Sequence, residues 1–127
     1  MTNQPPKLGR GVLILAIASI FAFGCGSAPP PTARMASTGA AIRAASEVGA
    51  QSDPKAALHL KLAQEQRDKA EALMKDGKNE EAEGLLMRAE ADAELALALA
   101  RSAQMKAQAE KAIEEVQELK KKLGGNS

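Results

Sequence analysis

From Asn79 to Leu123 the chain contains no proline and a single glycine, Gly84. Nothing in that stretch can stop a helix, so one helix of roughly 68 Å at 1.5 Å per residue is expected there. Two apolar stripes run along it. The first reads Ala82, Leu86, Ala89, Ala93, Ala96, Ala100, Ala103, Ala107; the second reads Ala91, Leu95, Ala98, Ser102, Met105, Ala109, Ala112, Val116, Leu119, Leu123. Each steps by four and three, the heptad pattern by which one helix buries a seam against another. The two seams are offset by two heptad positions and lie on nearly opposite faces. Between Leu95 and Ala100 the helix is apolar all round, with Leu97 and Leu99 added to the seams. Such a run requires cover from more than one side, from the N-terminal part of the chain or from another chain.

The chain preceding this helix supplies its first neighbour. Asp76-Gly77-Lys78-Asn79 is the clearest turn: Gly77 can take the left-handed conformation that ends a helix, and Asn79 can cap the next one, with Glu80 and Glu81 at its positive end. Asp53-Pro54 has the form of a helix start, with Asp53 as N-cap and Pro54 in the first turn. The helix between them, to about Lys75, must lie antiparallel to the long one because the turn is short. Reflection about Gly77 sets Leu73 beside Ala82 and Leu58 opposite Ala96. A weaker helix, Met35 to Val48, stops at Gly49. Continuing the reflection puts Ile42 opposite Ala112 and Ile113, so that this helix covers part of the second seam. The expected fold is all-α, an antiparallel, coiled-coil-like hairpin with one long C-terminal helix and a broken N-terminal leg. Its bounds are 36–123, with a flexible end at 124–127.

The N-terminus has the layout of an address. Lys7 and Arg10 form a basic region, Val12 to Phe23 is apolar, and small residues follow at Ala22 and Gly24. This is the pattern of a secretory signal peptide over 1–24, too short to span a bilayer comfortably. Cys25, the one cysteine, comes next and has no partner in the chain. Ala22-Phe23-Gly24-Cys25 resembles a bacterial lipobox, which implies a diacylglycerol on the Cys25 thiol, cleavage before it and acylation of the new amino group. The same Ala22-x-Gly24 also suits an ordinary signal-peptidase site. By the resemblance to sorted lipoproteins, Gly26 after Cys25 implies the outer membrane, facing the periplasm. Several acyl chains would hold the protein firmly there. Pro29-Pro30-Pro31, within a tether at 25–35, predicts a short stiff stalk.

Composition then excludes several function classes. Without Lys7 and Arg10 the 17 basic residues become 15, against 16 acidic ones. A chain so nearly neutral lacks the basic face that nucleic acid requires. Its two aromatics, Phe21 and Phe23, both belong to the N-terminal apolar run, which leaves no ring to stack a base or a sugar. His59 is the sole histidine, so no set of three or four nitrogen and sulfur ligands exists for zinc; a surface helix position is expected for it. The acidic residues interleave with Lys and Arg as on a solvated helix face. Lys120 to Lys122 suit the negative end of the long helix. No catalytic residue, cofactor, metal or small-molecule substrate is expected.

Larger patterns also bear on the family. Ala40-Ala41-Ile42-Arg43-Ala44-Ala45 precedes Ala57-Leu58-His59-Leu60-Lys61-Leu62-Ala63. Then come Ala70-Glu71-Ala72-Leu73-Met74-Lys75-Asp76-Gly77 and Ala89-Glu90-Ala91-Asp92-Ala93-Glu94-Leu95-Ala96. Over roughly Thr38 to Ala107 the chain resembles the alanine-rich bacterial lipoproteins assigned to domain of unknown function 4398. That resemblance implies an envelope-located helical domain and no catalytic residues. The expected function is a lipid-anchored structural spacer or assembly component of the cell envelope, with the Gly77 tip farthest from the membrane. The alternative is an adaptor or chaperone-like module, since Gly77-Lys78-Asn79-Glu80-Glu81-Ala82 is similar to the turn of a tetratricopeptide helical pair. The interaction seam would comprise Leu86, Leu95, Leu97, Leu99, Met105, Ile113, Val116 and Leu119. Its occupant would be a second copy or a helix of an envelope protein.

Overall fold

The computed structural model describes residues 28–124. Expectations placed on 1–24, on Cys25 and on 125–127 lie outside the described residues. Every regular element within them is helical: α1 (Thr32–Glu47), a short 3-10 turn (Ala50–Ser52), α2 (Pro54–Lys75) and α3 (Asn79–Gly124). The fold is all-α, as expected.

The α2–α3 hairpin follows from local chemistry. The Asp53 carboxylate accepts from the backbone N–H groups of Lys55 and Ala56 at 3.0 and 2.8 Å, and Pro54 fills the first position, which needs no donor. At the other end Gly77 adopts φ 75°. Its N–H donates to the Met74 carbonyl, and the Lys78 N–H donates to that of Leu73. This paired closure satisfies carbonyls that the helix end leaves free and reverses the chain. The reflected register holds: it sets Leu62 opposite Asp92, and Asp92 is held by His59 and Gln66, one turn to either side of Leu62. Asn79 departs from expectation. It is the first residue of α3 instead of the cap before it, and its side-chain amide donates to the Ala28 carbonyl at 2.6 Å.

The N-terminal leg also departs from the expected path. α1 starts at Thr32, directly after Pro31, so residues 32–35 belong to a helix and the tether is shorter than 25–35. α1 then doubles back instead of extending the line of α2. Gly49 at φ 83° ends it in the left-handed region, the 3-10 turn follows, and Asp53 launches α2 in extended geometry. As a result α1 runs parallel to α3 and antiparallel to α2: Thr38 meets Leu86, and Val48 meets Gln104. Ile42 therefore lies nowhere near Ala112. It packs with Ala45, Leu60, Ala93 and Ala96 in the main core, where α1, α2 and the first seam converge. The physical reason lies in that seam. Its alanines let two helices approach α3 closely, and doubling back buries Ile42 and Ala45 where a continued leg would meet one helix only. A smaller cluster near the Gly77 turn joins Ala70, Ala82 and Leu86, with Met35 and Leu73 against it.

The three-helix body ends near Gln104, whose side-chain amide donates to the Val48 carbonyl at 2.7 Å. Every residue from 104 to 124 is exposed. Among the described residues α3 thus leaves the three-helix body and continues without a neighbour for about 30 Å.

Candidate functional site

Two features of this architecture bear on function: the end at which the chain enters the body, and the bare end of α3. At the entry, Arg34 clamps α1 to α3. Its Nε donates to the Glu83 carboxylate, and Nη1 donates to Glu90 Oε2 at 3.0 Å. Hydrogen bonding to Glu83, with Glu90 behind it, raises the Arg34 guanidinium above its ordinary pKa. Thr38, fully buried, donates its hydroxyl to the Leu86 carbonyl at 3.3 Å. Together with the Asn79–Ala28 bond, these contacts fix residues 28–38 beside the first turns of α3. The chain therefore enters the body at the Gly77 end. Any anchor shortly before Ala28 would place Gly77 near it, which reverses the expectation that the Gly77 tip is the far end.

A polar bridge crosses the middle of the α2–α3 interface. Asp92 Oδ1 lies 2.8 Å from His59 Nδ1, and Oδ2 accepts from Gln66 Nε2 at 2.7 Å. His59 is half-buried instead of standing on an open helix surface. Both carboxylate oxygens of Asp92 are engaged by α2, so the group orients the hairpin. Gln66 Oε1 and Asn79 Oδ1 are buried without a hydrogen-bond partner. Among the described residues no group of three or more His, Cys, Asp or Glu side chains could hold a metal ion. No helix among them is long and apolar enough to cross a membrane.

The expected interaction seam divides into three parts. Leu86 is completely buried in the smaller core cluster, between α1 and α2. Leu97 and Leu99 pack, half-buried, against the main core. Leu95, Met105, Ile113, Val116 and Leu119 are exposed, with Met105 at 63% and Val116 at 49%. The all-round apolar run at 95–100 is thus covered on two sides by this chain's own helices, and the second seam is left open along its whole length. No sequence pattern marks Arg34 or Thr38. Glu83 and Glu90 stand one heptad apart on one face, and that spacing is the signal that could have pointed to a basic partner.

No curated protein matches the sequence, and no solved structure matches the fold. A family model does match, over residues 33–112, from the second residue of α1 to partway along the bare part of α3. The chain belongs to the family described as Domain of unknown function (DUF4398).

Proposed function

We propose that this protein is a lipid-anchored envelope component whose role is structural: a short helical body held at a membrane, from which a single helix projects to bridge or assemble with other material. One observation carries this reading. The Ala28 carbonyl is bonded to Asn79 at the Gly77 end of the body, and Cys25 precedes Ala28 by three residues. Three residues span at most about 10 Å. Acyl chains on Cys25 would therefore hold the body against the bilayer, with α3 pointing outward. The 46 residues of α3 would reach about 69 Å from that surface. The apolar run that ends just before Cys25, and a sequence after it whose large apolar side chains are all aliphatic, favour position and contact over chemistry.

The test is Cys25→Ala, with membrane fractionation of cells and mass spectrometry of the wild-type N-terminus. The reading expects an acylated N-terminal fragment beginning at Cys25 in the wild type, and release of the variant from membranes. Undiminished membrane retention of Cys25→Ala, or an unmodified Cys25, would refute it.

A further inference from the structure

We infer that the bare end of α3, from Ser102 to Leu123, docks onto a second copy of itself as a parallel two-helix coil. Past Gln104 the helix has no neighbour among the described residues, yet its second seam keeps strict heptad spacing and is exposed throughout. In heptad terms Ser102, Ala109, Val116 and Leu123 occupy one core position, and Met105, Ala112 and Leu119 the other.

The flanking charges select both the occupant and its direction. In a parallel pair Glu115 meets Lys120 of the second copy, twice per dimer by symmetry. Neither residue forms an ion pair among the described residues, whereas neighbouring Lys106–Glu110 and Lys122–Glu118 do so along the helix. The like-charged pair in this arrangement, Arg101 with Lys106 of the second copy, lies at the foot of the seam, where Glu110 already draws Lys106 at 3.9 Å. An antiparallel pair centred between Ala112 and Val116 would instead set Glu115 against its own copy and Lys106 against Lys120. Direction rests also on the proposed anchor, since copies held by their N-termini to one surface project α3 the same way. Confinement of the copies to one surface also favours their encounter, which suits a short coil with two alanine layers.

The experiment uses the full chain in detergent with Cys25→Ser, so that each introduced cysteine is alone and no lipid contributes. At about 1 mM, a concentration that populates even a pairing of about 4 kcal/mol, Leu119→Cys should oxidise to a disulfide dimer several-fold faster than Lys121→Cys on the opposite face. Adding Lys120→Glu should slow this by about five-fold, the effect of reversing two exposed ion pairs. Adding Glu115→Lys to that variant should restore the rate. Equal rates at 119 and 121, or a rate indifferent to the charge swap, would overturn the inference. So would preferential cross-linking between Leu119→Cys and Ala109→Cys chains in a mixture, which marks an antiparallel pair. These outcomes are independent of whether wild-type Cys25 carries lipid.

Discussion

Ala96 and Ala98 are two residues apart on the same helix, and the fold gives them opposite environments. Ala96 is fully buried in the main core between α1 and α2, and Ala98 faces solvent. Replacing either by leucine adds the same three carbons, and leucine is nearly as good a helix former as alanine. Any difference between the variants therefore reports packing alone. At Ala96 the added side chain has no space among Ala45, Leu60, Ala63 and Ala93. Overpacking of this kind costs about 1–3 kcal/mol. For a body of this size each kcal/mol moves the melting temperature by about 4–8 °C, so Ala96→Leu should melt roughly 4–24 °C below wild type by circular dichroism at 222 nm. Ala98→Leu should stay within about 0.5 kcal/mol of wild type, as surface substitutions do. Equal melting temperatures for the two variants, or a larger loss at Ala98, would show that the first seam is not the buried one.

Leu86→Ala, which empties the largest fully buried apolar side chain, should destabilise the body by about 2–5 kcal/mol in urea titrations. A midpoint unchanged within error would mean that α1 does not cover that end. Gly49→Ala forces a side chain into φ 83° at the α1 reversal and should cost about 1–2 kcal/mol. Gly84→Ala sits in open space on α3 and should stabilise by about 1 kcal/mol. The pair should shift thermal melts in opposite directions, and shifts of the same sign would contradict the loop geometry.

Local chemistry made the hairpin legible in the sequence. Asp53-Pro54 and Gly77 fix helix ends through bonds to their immediate neighbours, so their signals survive without tertiary context. The two seams were equally legible as stripes, because periodicity alone defines them. What covered each stripe was not. Whether α1 continues the line of α2 or doubles back depends on a few dihedral angles near Gly49, and both paths bury alanines. The deciding contacts, Arg34 to Glu83 and Glu90 and Thr38 to the Leu86 carbonyl, join residues nearly fifty positions apart or more, where no local pattern reaches. Asn79 misled for a related reason. Its residue type suits a cap, but the Ala28 carbonyl offered its amide a partner across the fold. His59 had a single visible role as a surface residue until Asp92 was brought opposite it.

The central claim is that α1 folds back along α3, bringing the chain's entry point to the Gly77 turn. Electron paramagnetic resonance distances test it directly, with spin labels on Cys25→Ser chains at exposed Ser37, Lys78 and Lys111. With Ser37 level with Leu85, the account predicts an axial offset of about 10 Å from Ser37 to Lys78 and about 39 Å from Ser37 to Lys111. Offsets of about 58 Å to Lys78 and about 9 Å to Lys111, the values for an N-terminal leg continuing the line of α2, would contradict it.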